Sequence, residues 1–213
     1  MKFEKIFVFK DSENKIEEIK EVLRNCRFTF NRDDVNFLDK YNLFSRKFSF
    51  EPNYSLIHFD EKWIHNDYIK KYKSIEPTLD EFVVFINDLA LKSKLNVVIS
   101  TGLVSNNILK EFNNSFNKID EGVYEKIYKN KKIFLCTNLN FFDLKSLIKN
   151  CKYLITCHGA STHLASAFNK KIFDIIDYSE KEFYLKWNSH ILNYNFFYRE
   201  NFKTLTDKIL KKI

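Results

Sequence analysis

The sequence predicts an α/β fold: a Rossmann-like parallel sheet with helices on both faces over residues 54–213, preceded by a short N-terminal α/β extension over residues 1–53. Three observations lead there. After residue 54, apolar runs of four to six residues alternate with longer segments of helical spacing. The chain is 45% hydrophobic and 17% aromatic, with 3 Gly and 2 Pro in 213 residues, so it can build a core and is neither disordered nor collagen-like. The pair Glu51-Pro52 marks a boundary, because the residue before proline avoids the helical region.

In the extension, residues 5–9 (KIFVF) read as a strand, and 14–23 as a helix from the spacing of Ile16, Ile19 and Leu23. Residues 27–50 carry Phe28, Phe30, Phe37, Leu38, Tyr41, Leu43 and Phe44 at neither period for long and read as mixed structure. Beyond the boundary, strands are expected at 54–59, 96–100, 132–136, 153–156 and 172–176. Helices are expected at 78–91, 105–116, 142–150, 161–168 and 201–213. Thr78 with Glu81 three residues on forms a capping box, each side chain satisfying an amide of the first turn. Asn169 follows the Ala-rich segment and suits the left-handed position that ends a helix. Residues 105–130 hold no legible ligand signature.

The net charge of +7 and pI near 9.0 favour anionic partners only if the basic residues cluster. They are dispersed: Lys70-Lys71, Lys131-Lys132, Lys170-Lys171 and Lys211-Lys212 lie in different segments, with acids interleaved at 11–21 and 177–182. A solvated surface is the plain reading. Attraction to anionic lipid or to a phosphorylated substrate stays open, and no nucleic-acid-binding module is present. The four cysteines Cys26, Cys136, Cys151 and Cys157 have no paired spacing, residues 1–30 lack a signal-peptide pattern, and no apolar run nears the ~20 residues that span a bilayer. These features lead us to expect a cytoplasmic chain with reduced thiols, open to peripheral contact with the inner face of the membrane.

The segment expected to carry chemistry is Cys157-His158-Gly159-Ala160-Ser161-Thr162-His163, between a strand and a helix. In open parallel sheets, ligands lie beyond the carboxyl ends of the strands, where helix N-termini converge. Gly159 permits close backbone approach, Ala160 adds no bulk, and Ser161 or Thr162 offers a hydroxyl beside helix-end amides, an arrangement suited to phosphate. His158 and His163 flank the loop as donors or proton carriers. From the residues alone, a plainer reading stays open: Ser161 as a simple N-cap, Gly159 as a turn glycine and His163 as a core histidine. Zinc bound by Cys151, Cys157, His158 and His163 fits no usual spacing, and Cys157 at a strand end reads as a small buried residue rather than a nucleophile.

Residues 147–156 (LIKNCKYLIT), leading into His158-Gly159-Ala160-Ser161-Thr162-His163-Leu164-Ala165, resemble the C-terminal half of family 9 glycosyltransferases, the heptosyltransferase-like group. That family's Asp-Thr-Gly-x-x-His-Leu-Ala loop is matched at His163-Leu164-Ala165, while His158 stands in place of the aspartate and Ala160 in place of the glycine. Ile57-His58-Phe59 with Glu61-Lys62-Trp63 resembles the opening strand and lysine–tryptophan element of the same domain, and residues 97–102 (VVISTG) its next strand and turn. The resemblance covers about 120 residues, 54–177, and implies the C-terminal, donor-binding domain of a GT-B fold. It further implies that Lys62 meets the donor diphosphate, that Thr101 and Gly102 border the nucleotide, and that residues 158–163 hold the phosphates. On its own, Lys62 beside Trp63 reads as a surface lysine next to a partly buried ring.

The function expected from this resemblance is inverting transfer of a sugar from a nucleotide-diphosphate donor to a glycan or lipopolysaccharide-type acceptor, as in cell-surface polysaccharide synthesis. No cofactor and no metal are implied. In the family the catalytic base comes from the other domain. Asp11 and Glu13 follow the first strand but read as capping or solvated residues, so no catalytic residue is named. The 53 residues before the matching region are too few for a second Rossmann-like domain, so residues 1–53 read as an extension or remnant of an acceptor domain. A homodimer or a separate acceptor-domain chain would complete such an enzyme. Two other classes stay open: a non-catalytic nucleotide-sugar or phosphate-binding module, and a different Rossmann-like enzyme such as a sugar-nucleotide epimerase, against which the lack of a Gly-x-Gly-x-x-Gly loop counts.

Overall fold

In the computed structural model, residues 46–64, 71–102, 104 and 107–213 are described, together with Glu21. The strand expected at 5–9, most of the helix expected at 14–23 and most of the mixed stretch 27–50 lie outside the described residues.

The elements in chain order are β1 (Ser55–Phe59), α1 (Leu79–Ser93), β2 (Val97–Thr101), α2 (Asn107–Asn113), β3 (Asn117–Asp120), β4 (Val123–Tyr128) and β5 (Lys131–Cys136). They continue with α3 (Phe141–Asn150), β6 (Tyr153–Cys157), α4 (Ala160–Ala167), β7 (Lys171–Ile176), α5 (Lys181–Asn188), β8 (Tyr194–Tyr198) and α6 (Phe202–Lys211). All eight strands join one sheet in the order β3-β4-β5-β2-β1-β6-β7-β8. The six from β5 to β8 in that order run parallel, and β3 and β4 add an antiparallel edge.

Alternation along each strand sorts the core into two layers, as expected of a sheet covered on both faces. Ile57, Phe59, Val97, Ile99, Ile155 and Phe173 point to the layer that packs against α1, α2 and α6 through Phe82, Phe85, Phe112 and Phe202. Leu56, Val98, Phe134, Leu154 and Ile172 point to the opposite layer, closed by Leu147 and Ile148 of α3 and Ala165 of α4. Each such side chain contributes about 1.5–3 kcal/mol by leaving water.

The helix signals are realised at atomic distance. Thr78 caps α1, its Oγ1 accepting from Glu81 N at 3.2 Å while the Glu81 carboxylate accepts from Thr78 N at 2.9 Å. Asn140 and Asp143 form a second capping box at α3, and buried Asp143 also pairs with Arg46 at 3.3 Å, tying residue 46 to α3. Asn169 has φ 53°, the left-handed end expected after α4.

Two parts depart from the sequence reading. The helix expected at 105–116 is described over only Asn107–Asn113, and the chain then forms the β3–β4–β5 meander that adds antiparallel strands to the expected parallel sheet. Its β4–β5 turn places Lys129 and Asn130 both at positive φ, the two-residue geometry whose twist matches antiparallel strands. Likewise α5 and β8 fill residues 181–198, between the strand expected at 172–176 and the helix expected at 201–213. Among the described residues, no helix is long and apolar enough to cross a membrane.

Candidate functional site

Strand order creates the site. From β1 the chain builds outward to β2 and β5 on one side and to β6, β7 and β8 on the other, so the direction of winding reverses between β1 and β6. Helices leaving neighbouring strand ends in opposite directions open a crevice at such a switch point, and ligands of open α/β sheets sit there. The segments that follow β1 and β6 are Asp60–Trp63 and His158–Gly159.

After β1 the chain makes a 3₁₀ turn, Glu61–Trp63, capped by Asp60, whose Oδ1 accepts from Lys62 N at 3.2 Å. Trp63 is buried, stacks on Phe59 with centroids 5.0 Å apart and donates Nε1–H to His58 O at 2.9 Å. This anchor directs Lys62 toward the crevice, where Nζ lies 2.5 Å from Asp60 Oδ2. Burial pulls the Lys62 ammonium toward its neutral form, but the Asp60 carboxylate outweighs that and raises its pKa. Burial pushes the Asp60 carboxyl up, against the pull of Lys62. His58, 7% exposed, hydrogen-bonds Ser100 Oγ through Nδ1 at 3.0 Å. Burial, and then the Lys62 charge, bring the His58 pKa down to about 4, so its 3.6 Å contact with Asp60 joins a neutral ring to a carboxylate near pH 7.

Gly159 N-caps α4 in an extended conformation that any residue can adopt. Its lack of a side chain matters for space: a Cβ there would lie 2.7 Å from Lys62 Nζ. The lysine after β1 therefore lies directly over the glycine after β6, at the N-terminus of an eight-residue helix whose first amides have no partner within the helix. Gly102 repeats the device after β2, where a Cβ would lie 2.6 Å from Glu61 Oε2 and 2.8 Å from Asp60 Cβ. Gly102 thus packs on the same 60–61 turn, and Thr101 pairs with Phe59 beside it.

The hydroxyls of the loop face inward. Ser161 Oγ bonds Thr156 Oγ1 at 2.9 Å, while Thr162 Oγ1 donates to Asp174 Oδ1 at 2.9 Å and accepts from Gly159 N at 3.2 Å. Both side chains are buried, so they shape the loop, and what this turn presents outward is its backbone and Ala160. His163 stands exposed on α4, its ring edge-on to His158 at 5.4 Å and stacked on His190 at 6.1 Å. Partial burial, then the charges of His158 and His190, lower its pKa.

Several site residues had no sequence signal. Asp174 on β7 is fully buried, and its Oδ2 accepts from His158 Nδ1 and from Tyr194 OH, each at 2.7 Å. Asn188 Nδ2 donates to Tyr194 OH at 2.8 Å. Arg199, just past β8 and 7% exposed, donates Nη2–H to Lys62 O at 2.7 Å and Nε–H to Lys73 O at 2.8 Å, and lies 3.7 Å from Cys157 Sγ. It splints the 60–63 turn against the ends of β6 and β8. Strand pairing gathers Asp174, Tyr194 and Arg199, and the end of α5 brings Asn188 to them; Asp, Asn and Tyr recur along the whole chain, which hides three of the four, while Arg199 is the one arginine after Arg46. Burial pushes the Cys157 thiol well above its ordinary value, which is unlike an activated nucleophile. Among the described residues no cluster of three His, Cys, Asp or Glu could hold a metal ion.

No family model matches the chain, and no curated protein matches it. Solved structures give fold-level likenesses. The solution structure of ALG13 aligns at TM-score 0.46 and 9% identity, covering 76% of this chain and 85% of that one. The Methanocaldococcus jannaschii UDP-GlcNAc 2-epimerase, in complex with UDP-GlcNAc and UDP, aligns at 0.42 and 16% identity, covering 100% of this chain and 55% of the epimerase. The wall teichoic acid polymerase TagF aligns at 0.37 and 12% identity, covering 91% of this chain and 41% of the polymerase. At these scores none carries weight about ligand or reaction.

Proposed function

We propose that the chain binds a nucleotide-diphosphate sugar by its diphosphate at the β1/β6 crevice and serves as the donor-binding part of an inverting glycosyltransferase of the family 9 type. The observation that carries this reading is Lys62 Nζ lying over Gly159, where a Cβ would come within 2.7 Å. A cation and the positive end of a helix then meet at one spot, a combination that favours a phosphoryl group and stabilises a departing diphosphate. Thr101 and Gly102 border the nucleotide in this reading, and His158, Gly159, Ala160, Ser161, Thr162 and His163 form the phosphate loop. Residues 54–213 act as the donor domain, with 1–53 as an extension. The acceptor is a glycan or glycolipid, met at a membrane surface, with a second copy or a separate acceptor-binding chain completing the enzyme. A non-catalytic nucleotide-sugar or phosphate-binding module is the second reading, favoured by His158 standing where the family's loop has its acidic residue.

A thermal-shift screen against nucleoside diphosphates and nucleotide sugars tests the reading, since a ligand of the native state raises apparent stability by mass action. The expected result is a selective shift that Lys62→Ala and Gly159→Val each abolish. A wild-type chain that responds to no member of the panel would remove the donor site. Sugar transfer to an acceptor, assayed with the stabilising nucleotide sugar, separates the enzyme from the binding module.

A further inference from the structure

The two edges of the sheet follow opposite rules. An edge strand offers its outer amides and carbonyls to any other strand, and monomeric proteins blunt such edges with charges, bulges or a covering element. β3 is blunted: it carries Lys118 and Asp120, is exposed throughout, and its register against β4 shifts between those two residues. β8 is not. Its residues Tyr194-Asn195-Phe196-Phe197-Tyr198 include no charge, glycine or proline, and among the described residues β7 is its one strand neighbour. Asn193 O accepts from Ile172 N and Arg199 N donates to Ile176 O, each at 2.9 Å, so the odd-numbered residues of β8 bond toward β7. Alternation then turns the N–H and C=O of Tyr194, Phe196 and Tyr198 outward.

We propose that this edge pairs with β8 of a second copy of the chain, antiparallel about a twofold axis at Phe196, giving a homodimer with one continuous sheet. The outward residues Tyr194, Phe196 and Tyr198 read the same in both directions, which is what a twofold contact of one surface with itself requires. Phe196 falls opposite the partner's Phe196 and Tyr194 opposite the partner's Tyr198, each pair exchanging both backbone hydrogen bonds. No like charges meet across the axis. The three side chains share one face, with ring centroids 6.1 Å apart for Tyr194–Phe196 and 5.5 Å for Phe196–Tyr198, and Tyr178 extends the row at 5.1 Å from Tyr198. Phe196 is 36% and Tyr178 67% exposed, leaving ring surface for cross-strand aromatic pairs. A lipid surface could take the rings but would leave the outward amides and carbonyls unpaired, and only another strand satisfies both. The pairing bears on the crevice as well, since β8 carries Tyr194 to Asp174 Oδ2 at 2.7 Å and ends beside Arg199, whose Nη2 lies 2.7 Å from Lys62 O. The inference stands on the strand edge alone and is independent of diphosphate binding.

The experiment is sedimentation velocity of the whole chain up to about 100 μM, where any pair tighter than about 10 μM is mostly dimeric. Expected is a wild-type dimer that Phe196→Lys, which sets two ammonium groups against each other on the axis, weakens at least about tenfold. Ile119→Lys, on the other edge, should leave association unchanged. Phe196→Cys should form a disulfide with its own copy under mild oxidant, because paired Cα atoms about 5.5 Å apart suit that bond, while the wild type treated alike should not cross-link. A wild type that stays monomeric at 100 μM would overturn the proposal. So would a dimer that survives Phe196→Lys, or one that Ile119→Lys weakens equally. Amide exchange closes the last alternative: protection of residues 194, 196 and 198 in a monomer would place another segment of the same chain on the edge and overturn the dimer. The cross-linking result decides the matter even if Phe196→Lys fails to fold.

Discussion

The two halves of the sheet are built from different materials. On the side of β3, β4 and β5, the buried strand positions are Val123, Ile133, Phe134, Leu135 and Cys136, and every residue of β3 is exposed. On the side of β1, β6, β7 and β8, the strands and their ends bury Ser55, His58, Asp60, Thr156, Asp174, Asp177 and Arg199. Burying such groups costs free energy unless each is paired, and networks of them concentrate where a ligand must be held. The apolar half is a wall that propagates the sheet. The polar half carries the crevice, and its far strand, β8, adds Tyr194 and positions Arg199 from more than 30 residues beyond the loop it supports.

Breaking the polar half should therefore cost far more than breaking the other edge. Arg199→Ala leaves the carbonyls of Lys62 and Lys73 without their donor and opens a cavity, so a loss of about 3 kcal/mol is expected in denaturant unfolding, together with weakened nucleotide binding. A loss under about 1 kcal/mol would mean the splint is dispensable. A pH series sharpens the comparison through His58. Its folded pKa, about 4, lies below the ordinary value near 6.5, so between those values the unfolded chain binds the extra proton. Stability should then fall as pH drops through that window, by roughly 3 kcal/mol from this residue by pH 4. The raised carboxyl of Asp60 acts in the opposite sense, so the decisive readout is the difference from His58→Gln, whose unfolding should lack the His58 contribution. Tyr194→Phe removes one of three donors to Asp174, for an expected loss of about 1–2 kcal/mol. Ile119→Lys on exposed β3 should change stability by less than about 0.5 kcal/mol and leave nucleotide binding as it was. A larger effect would show that the apolar edge also bears on the crevice.

The parallel strands were legible because burial on both faces demands continuous apolar runs such as Leu56-Ile57 and Leu154-Ile155, and nearby caps such as Thr78 and Asn169 punctuate them. The meander was hidden because β3 is exposed throughout and carries one apolar residue, Ile119, and β4 carries apolar residues on both of its phases, at Val123 and Ile127 and at Tyr124 and Tyr128. The Lys129-Asn130 turn also lacks the glycine that usually signals a hairpin. On β8, Tyr194–Tyr198 has no polar–apolar alternation, since an edge strand beside a helix is half-buried on both sides.

Sequence alone determined the α/β alternation, the helix caps, and the strand–loop–helix unit around Gly159 as the place to look, because these depend on residues a few positions apart. Tertiary structure decided what that loop is next to. Parallel pairing of β1 with β6 brought Lys62 over Gly159, and pairing of β6 with β7 and of β7 with β8 put Asp174, Tyr194 and Arg199 behind His158 and Cys157. It also turned Ser161 and Thr162 from outward ligands into internal supports. The physical reason is that charge balance and hydrogen-bond satisfaction at a buried site are settled by neighbours across the sheet. Their separation along the chain, from 16 residues for His158–Asp174 to 137 for Lys62–Arg199, leaves no local pattern to read.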